Sequence, residues 1–439
     1  MYKIRKALCY PFFIIFANII FEHKTFHLRD KTFTIHTLGC KLNFSESSDL
    51  ARQLKEVGFT QDDAPANIIV NSCAVTAAAV KKGRNLTARL HREFPDAQII
   101  LMGCYAALQP VLLKQWSGVS AVFGSEDKMN VISYLLGEPL PQTPDFFPAY
   151  SSGDRTRSFL KIQDGCDNHC SYCTVAIARG KSRSNTIEGV LQQFQELSDL
   201  GIKEVNLTGV NIGDFGKQQG VTFLDLLREI EAMQPVERVR ISSIEPNLLD
   251  EKTIALMVQS RMLMPHFHLP LQSGTDRVLA LMRRKYKRSL FEEKVLKIKE
   301  HIPDACIAVD IISGFPTESE EDFEDTFRFV ERLPISYLHV FTYSVRPNTP
   351  AATMPQLHDT LKKERTKQLL KLSEEKKEAF YNSYIGQTRP VLFESDIDNG
   401  YMYGFTDNYI KIKHPYQEAL VNQIVDVVLK REEMILGEE

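Results

Sequence analysis

Cys166, Cys170 and Cys173 put three thiols into one short run, GCDNHCSYCTVAIAR, with no fourth cysteine nearby. A closed structural zinc site takes four protein ligands, so three thiols leave one metal position open. On a cluster of four irons, three thiolates leave one iron free to bind something else. The C-x3-C-x2-C spacing lets one tight loop supply all three. The preceding run, FLKIQDG, reads as a strand, which sets the loop at the strand's carboxyl end.

A second set is dispersed. Cys40, Cys73 and Cys104 each end a strand-like run, in TFTIHTLGC, ANIIVNSC and AQIILMGC, and lie 33 and 31 residues apart. That interval is about one strand–helix unit. In an open parallel sheet the carboxyl ends of strands share one edge, where ligands bind. The three thiols are therefore expected to meet at that edge. The plain alternative is that each is a buried small hydrophobe. Cys306 starts a strand with no companion and reads as a core thiol, and Cys9 has no evident role.

The elements that must position these residues follow from pattern. Residues 31–140 alternate strands with the helical runs SESSDLARQLKEVGF and TAAAVKKGRNLTARLHREF, which indicates a parallel-sheet α/β domain. Residues 141–157 are Pro-rich and read as a linker. Residues 158–384 carry six strand candidates (SFLKIQ, EVNLTG, RVRISSI, HFHLPL, CIAVDIISG and YLHVFTYS) with helices between, a partial (β/α)6 barrel. This domain closes on a charged helix whose Glu and Lys spacing suits a mostly solvated face. Residues 385–435 hold only short strands, a small all-β domain.

The chain has 439 residues, 43% hydrophobic and 25% charged, with net charge −3. Two or three domains are expected. Nucleic-acid contact would have to come from local basic patches. Eight cysteines are too sparse for a disulfide scaffold, and their clustering favours metal or catalysis. Residues 1–30, with the basic MYKIRK and the apolar CYPFFIIFANIIF, read as an N-terminal extension or a start-site artefact rather than an export signal. No stretch is long and apolar enough for a transmembrane helix. A cytoplasmic protein is expected.

The C-x3-C-x2-C run resembles the radical S-adenosylmethionine (SAM) superfamily. The whole arrangement resembles its methylthiotransferase family: an N-terminal domain with three dispersed cysteines, a central barrel, and a small β-barrel corresponding to that family's TRAM domain. TLGCKLNFSES, NSCAVT, GCYAA and CSYCTVAIARGKSRS are most similar to the tRNA branch acting on N6-threonylcarbamoyladenosine. The isopentenyladenosine branch usually reads GCQMN at the first cysteine, and the ribosomal protein S12 branch GCPKN.

The resemblance implies two 4Fe–4S clusters and SAM. One cluster, on Cys166, Cys170 and Cys173, would cleave SAM to a 5′-deoxyadenosyl radical. The other, on Cys40, Cys73 and Cys104, would hold or donate sulfur. The implied reaction replaces C2–H of adenosine 37 by C2–S–CH3, with the tRNA anticodon stem-loop as partner and a flavodoxin- or ferredoxin-type electron donor. By family likeness Thr208 and Gly209 lie near the SAM amino group. Ser243, Glu245, Gln272 and Asp310 end later strands and are candidate SAM contacts, though each also suits a structural hydrogen bond. The basic candidates for RNA are Lys81 and Arg84; Arg179, Lys181 and Arg183; and Arg283, Arg284, Lys285 and Arg288 around Tyr286, where cations beside an aromatic suit phosphate contact and base stacking. Competing readings are another radical SAM enzyme with an auxiliary electron-transfer cluster, the two sister branches, and a zinc-dependent RNA-binding protein.

Overall fold

The computed structural model describes residues 31–74, 76–139, 145–153 and 156–437. The expected extension at 1–30 lies outside the described residues. The first domain is a five-stranded parallel sheet. Its strands run Thr60–Gln61, Thr32–Thr37, Asn67–Ser72, Gln98–Gly103 and Val119–Phe123 across the sheet. The central runs NIIVNS and QIILMG hold unbroken apolar stretches at 68–70 and 99–102 because both faces are covered. Ile69, Ile100 and Met102 pack on one face with Leu50 and Leu54, while Ile68, Val70, Ile99 and Leu101 pack on the other with Leu90. Strand order reverses between Thr32–Thr37 and Asn67–Ser72. A crevice opens at such a switch point, and Cys40 and Cys73 leave the sheet on either side of it.

The second domain has six parallel strands in sequence order: Arg157–Lys161, Glu204–Thr208, Arg238–Ile241, His266–Gln272, Cys306–Ser313 and Tyr337–Thr342. The first three and the last three form separate hydrogen-bonded sheets, joined by the bridge Val239–Leu263. The curved wall is an open barrel with helices outside, as the six-unit pattern predicts. Two details differ from the sequence reading. Ala149 and Tyr150, inside the Pro-rich segment, pair antiparallel with the first barrel strand. The charged helix, Asp359–Asn382, is not simply solvated: it buries Leu369, Leu372 and Tyr381, and Arg365 pairs with Glu318 and Glu320.

The C-terminal sheet is antiparallel, in the order Lys411–Pro415, Tyr401–Thr406, Thr388–Asp398, Ile424–Val428. It docks under the barrel. Arg238 donates to the carbonyls of Phe405 (3.0 Å) and Pro390 (2.7 Å), and Arg240 to those of Thr406 (2.7 Å) and Asp407 (2.8 Å). Arg238 opens its strand, so this sheet caps the end opposite the loop cysteines Cys166, Cys170 and Cys173. Cys306 is buried there with Phe405 and Tyr409. Among the described residues, no helix is long and apolar enough to cross a membrane.

Candidate functional site

The loop after the first barrel strand holds Cys166, Cys170 and Cys173, and each sulfur has a nitrogen donor. Asn168 N–H donates to Cys166 Sγ at 3.3 Å, Val175 N–H to Cys173 Sγ at 3.4 Å, and Arg284 Nη1 to Cys170 Sγ at 3.4 Å. Such donors favour the thiolate, the form that binds metal. Burial works the other way: it pushes the Cys166 thiol up to about 11 and the Cys173 thiol to about 12. The protein alone therefore keeps these two groups protonated at neutral pH, and a bound cation would displace the protons. Three sulfurs with donors already aimed at them fit a cluster with one open position.

The second triad assembles at the sheet edge. Gly39 has φ +115°, and a Cβ there would lie 2.7 Å from Cys73 Cβ and 3.1 Å from its Sγ. Glycine is required because Cys73 packs directly against the backbone preceding Cys40. Cys73 and Cys104 are buried, and Cys40 is exposed. Cys104 Sγ accepts from Arg179 Nε at 3.3 Å. Arg179 also donates to Asn43 Oδ1 at 2.6 Å, Glu46 Oε1 at 3.1 Å and Asp164 Oδ1 at 3.0 Å.

Lys161 joins the same buried group, at 2.8 Å from both Glu46 and Asp164, and Lys128 pairs with Glu46. Burial alone would raise the Glu46 carboxyl; Arg179, Lys128 and Lys161 override it and hold the group well below the usual range. Three fully buried cations thus face two carboxylates, leaving positive charge beside Cys104 and Cys40. An anionic thiolate centre would balance it. These charged side chains were not singled out in the sequence, because Glu46, Lys128 and the Lys161–Asp164 pair converge from three separate segments.

One short helix, Val175–Arg179, links the two triads. It starts just after Cys173; its Ala178 packs with Ala74 and Cys104, and its last residue is Arg179. At 1.5 Å rise per residue, this five-residue helix is about 7.5 Å long. Its two ends thus lie beside Cys173 and Cys104, one thiol from each triad.

A cavity of about 410 Å³ is lined by Cys40, Thr208, Gly209, Ser243 and Asp310, among others. An adjoining one of about 230 Å³ is lined by Tyr172, Cys173, Gln272 and Asp310. The strand-end candidates are thus gathered, with two refinements. Glu245 is ion-paired with Arg284 at 2.6 Å beside Cys170. Gln272 sits at φ +69°, at a register shift in its strand, a strained conformation of the sort kept at functional sites. The sequence reading did not single out Lys41, His266, His268, Tyr337 and His339, which also line the larger cavity. The period-two spacing in HFH and YLH carried the signal.

The basic candidates divide. Lys81, Arg84, Lys181, Arg283 and Lys285 are exposed. Arg288 is half-buried, with Nη1 3.4 Å from the Gly274 carbonyl. Three expectations are corrected. Arg179 is 2% exposed and locked in the buried charge group, so it cannot reach RNA. Arg284 is spent on Cys170 and Glu245, and Tyr286, buried with its hydroxyl on the Leu271 carbonyl at 3.0 Å, cannot stack on a base. Arg183 is tied to the Arg179 carbonyl at 2.6 Å and to Asp164. The C-terminal sheet carries a different mixed face, with Lys411 over the Tyr403 ring and Lys413 over the Tyr401 ring at 5.2 and 5.4 Å.

Two family models match: the Radical SAM superfamily at residues 160–330, and Uncharacterized protein family UPF0004 at residues 32–124. The chain is 35% identical to the threonylcarbamoyladenosine tRNA methylthiotransferase MtaB of Bacillus subtilis, over 90% of this chain and 93% of that one. It is 37% identical to the Thermotoga maritima protein of that name, over 87% and 91%. A tRNA-2-methylthio-N(6)-dimethylallyladenosine synthase of Pelotomaculum thermopropionicum is 31% identical over 91% and 95%. Among solved structures, the radical SAM methyltransferase TsrM of Kitasatospora setae aligns with TM-score 0.55 at 15% identity, covering 74% of this chain and 77% of that one; this supports the fold. With two thiol triads linked by one short helix and relatives matching nearly end to end, the chain belongs to the radical SAM methylthiotransferase family.

Proposed function

We propose that this enzyme methylthiolates C2 of N6-threonylcarbamoyladenosine at position 37 of tRNA, giving 2-methylthio-N6-threonylcarbamoyladenosine. The observation that carries the reading is the pair of thiol triads joined by one short helix. It agrees with the names of several relatives at 34–37% identity. Cys166, Cys170 and Cys173 would hold one 4Fe–4S cluster and Cys40, Cys73 and Cys104 the other. When bound, the clusters and SAM supply one-electron cleavage of the sulfonium, the sulfur atom and the methyl group.

The chain's own residues orient and shield. Arg284 steadies Cys170 while Glu245 holds Arg284. Arg179 ties Cys104 to the helix that follows Cys173, which fixes one triad against the other. Thr208, Gly209, Ser243, Gln272 and Asp310 offer polar contacts to SAM. Lys81, Arg84, Lys181, Arg283, Lys285 and Arg288 would meet the phosphates of an anticodon stem-loop. The target base must leave the stack to reach the triads. A flavodoxin- or ferredoxin-type electron donor and a cytoplasmic location accompany this reading.

Mass spectrometry of nucleosides from bulk tRNA tests it, comparing a strain lacking the gene with its complemented parent. Loss of 2-methylthio-N6-threonylcarbamoyladenosine, with the unthiolated precursor accumulating, is the expected result. Loss of the isopentenyl derivative instead assigns the enzyme to the sister branch, and no change in tRNA points to ribosomal protein S12. A structural check follows from Gly39. Gly39→Ala is expected to destabilise the edge by about 1–3 kcal/mol, through φ strain and contact with Cys73. Iron content should fall from about eight towards about four per chain, and unchanged iron would show that the edge accommodates a Cβ.

A further inference from the structure

Barrel interiors are normally filled by branched aliphatic side chains. Here three adjacent strands present mostly polar or aromatic ones. His266 and His268, Ala308 and Asp310, and Tyr337, His339 and Phe341 alternate along their strands and line the 410 Å³ cavity that opens to Cys40. His268 Nε2 lies 2.6 Å from Asp310 Oδ1, and the His268 and His339 rings are 5.0 Å apart. His266 is 5% exposed and stacks on Tyr409 at 4.2 Å, and neither of its ring nitrogens has a hydrogen-bond partner among the described residues. Lys41 brings a charge to the same wall, its Nζ 5.7 Å from the Phe159 ring centroid and 6.0 Å from that of Tyr409. Orphaned imidazole nitrogens in a lined cavity need a polar guest.

The guest follows from the geometry of adenine. C2 and C6 both flank N1, so a base that turns C2 toward the thiol triads carries its N6 substituent into the neighbouring space. The threonylcarbamoyl group offers a carboxylate, a hydroxyl and ureido N–H groups, whereas an isopentenyl group offers none. A buried carboxylate needs a cation and donors, and a site built to hydrogen-bond rejects an analogue that leaves its polar groups unpaired. Resting on the function proposed above, we infer that His266, His268 and His339, with Lys41, form the pocket for the N6-threonylcarbamoyl group. This pocket selects the substrate branch. The carboxylate faces Lys41 and the His268–His339 pair, and His266 meets the polar atoms that remain.

The test is equilibrium binding of the iron-loaded enzyme, without reductant, to anticodon stem-loops bearing at position 37 the threonylcarbamoyl base, its methyl ester or plain adenosine. Hydrogen bonds to a charged group contribute about 1.5–3 kcal/mol, so the free acid should bind roughly 10- to 100-fold more tightly than the ester. In His268→Leu/His339→Leu that preference should fall to about twofold or less, with iron content and affinity for the plain stem-loop retained as evidence of folding. His339→Gln, which keeps a hydrogen-bonding group, should retain part of the preference. Two results overturn the inference: equal binding of acid and ester by the unsubstituted enzyme, or full preference in the double variant. A third is a stoichiometric non-iron divalent metal that the double variant loses, because His268, Asp310 and His339 also bring one ligand atom each within 4.8 Å of one another. If the unsubstituted enzyme methylthiolates the threonylcarbamoyl stem-loop yet ignores the ester change, only this inference fails. If it methylthiolates only an isopentenyl stem-loop, the underlying function fails with it.

Discussion

Cys73→Ala will retain reductive cleavage of SAM while losing methylthiolation, and Cys166→Ala will lose both. The asymmetry follows from where the two thiols stand. Cys166 belongs to the barrel loop, where each sulfur already has an N–H donor and one metal position is left open. Removing a ligand there should cost more than the roughly 10–100-fold that loss of an outer-shell partner costs, so 5′-deoxyadenosine should fall below detection. Cys73 belongs to the sheet edge, a separate element that reaches the barrel loop through the helix Val175–Arg179. Its loss should empty that edge and leave the barrel loop assembled. Measuring 5′-deoxyadenosine and methylthiolated nucleoside in the same reaction separates the cases. Full methylthiolation by Cys73→Ala would sink the assignment of two clusters.

The second large effect is at Arg179. Replacing it with methionine removes five hydrogen bonds made by a side chain that is 2% exposed: one to Cys104, one to Asn43, one to Asp164 and two to Glu46. Breaking a buried ion pair typically costs about 3–5 kcal/mol. Glu46 keeps Lys128 and Lys161, which points to the lower end. The corresponding fall in Tm is roughly 10 °C. The variant should also lose about half its iron, because Cys104 loses its donor and the edge loses its positive charge. Arg179→Lys keeps charge without the planar fork and should fall between. A tRNA-contact residue would behave differently: its loss would weaken RNA binding and leave thermal stability and iron unchanged. Calorimetry with iron analysis decides between the two.

The sequence made the architecture legible because its signals are local. Apolar runs such as NIIVNS and QIILMG, the first followed by a long amphipathic helix, dictate parallel strands with crossovers. A cysteine at each strand end then falls on the same edge through chain topology alone. The loop triad is closer still, three ligands in one turn of chain. Asp310, read as a strand-end residue, lies three residues before the end of its strand and lines both cavities. The basic runs were legible as charge but not as surface. Arg179 and Arg284 look like Lys181 and Lys285 in the sequence, yet they point inward because an anionic partner waits there, Glu46 in one case and Glu245 in the other.

The sequence by itself determined the three-part order and the two cysteine sets, since these rest on local patterns, and its motifs carried the family resemblance that implies the chemistry. Only the tertiary structure decided how the triads relate. The link through Val175–Arg179, the balance of Glu46 and Asp164 against three buried cations, and the histidines lining the cavity beside Cys40 all join residues far apart in the chain. Electrostatic and hydrogen-bond energies depend on distance through space, and spacing along the chain does not report it.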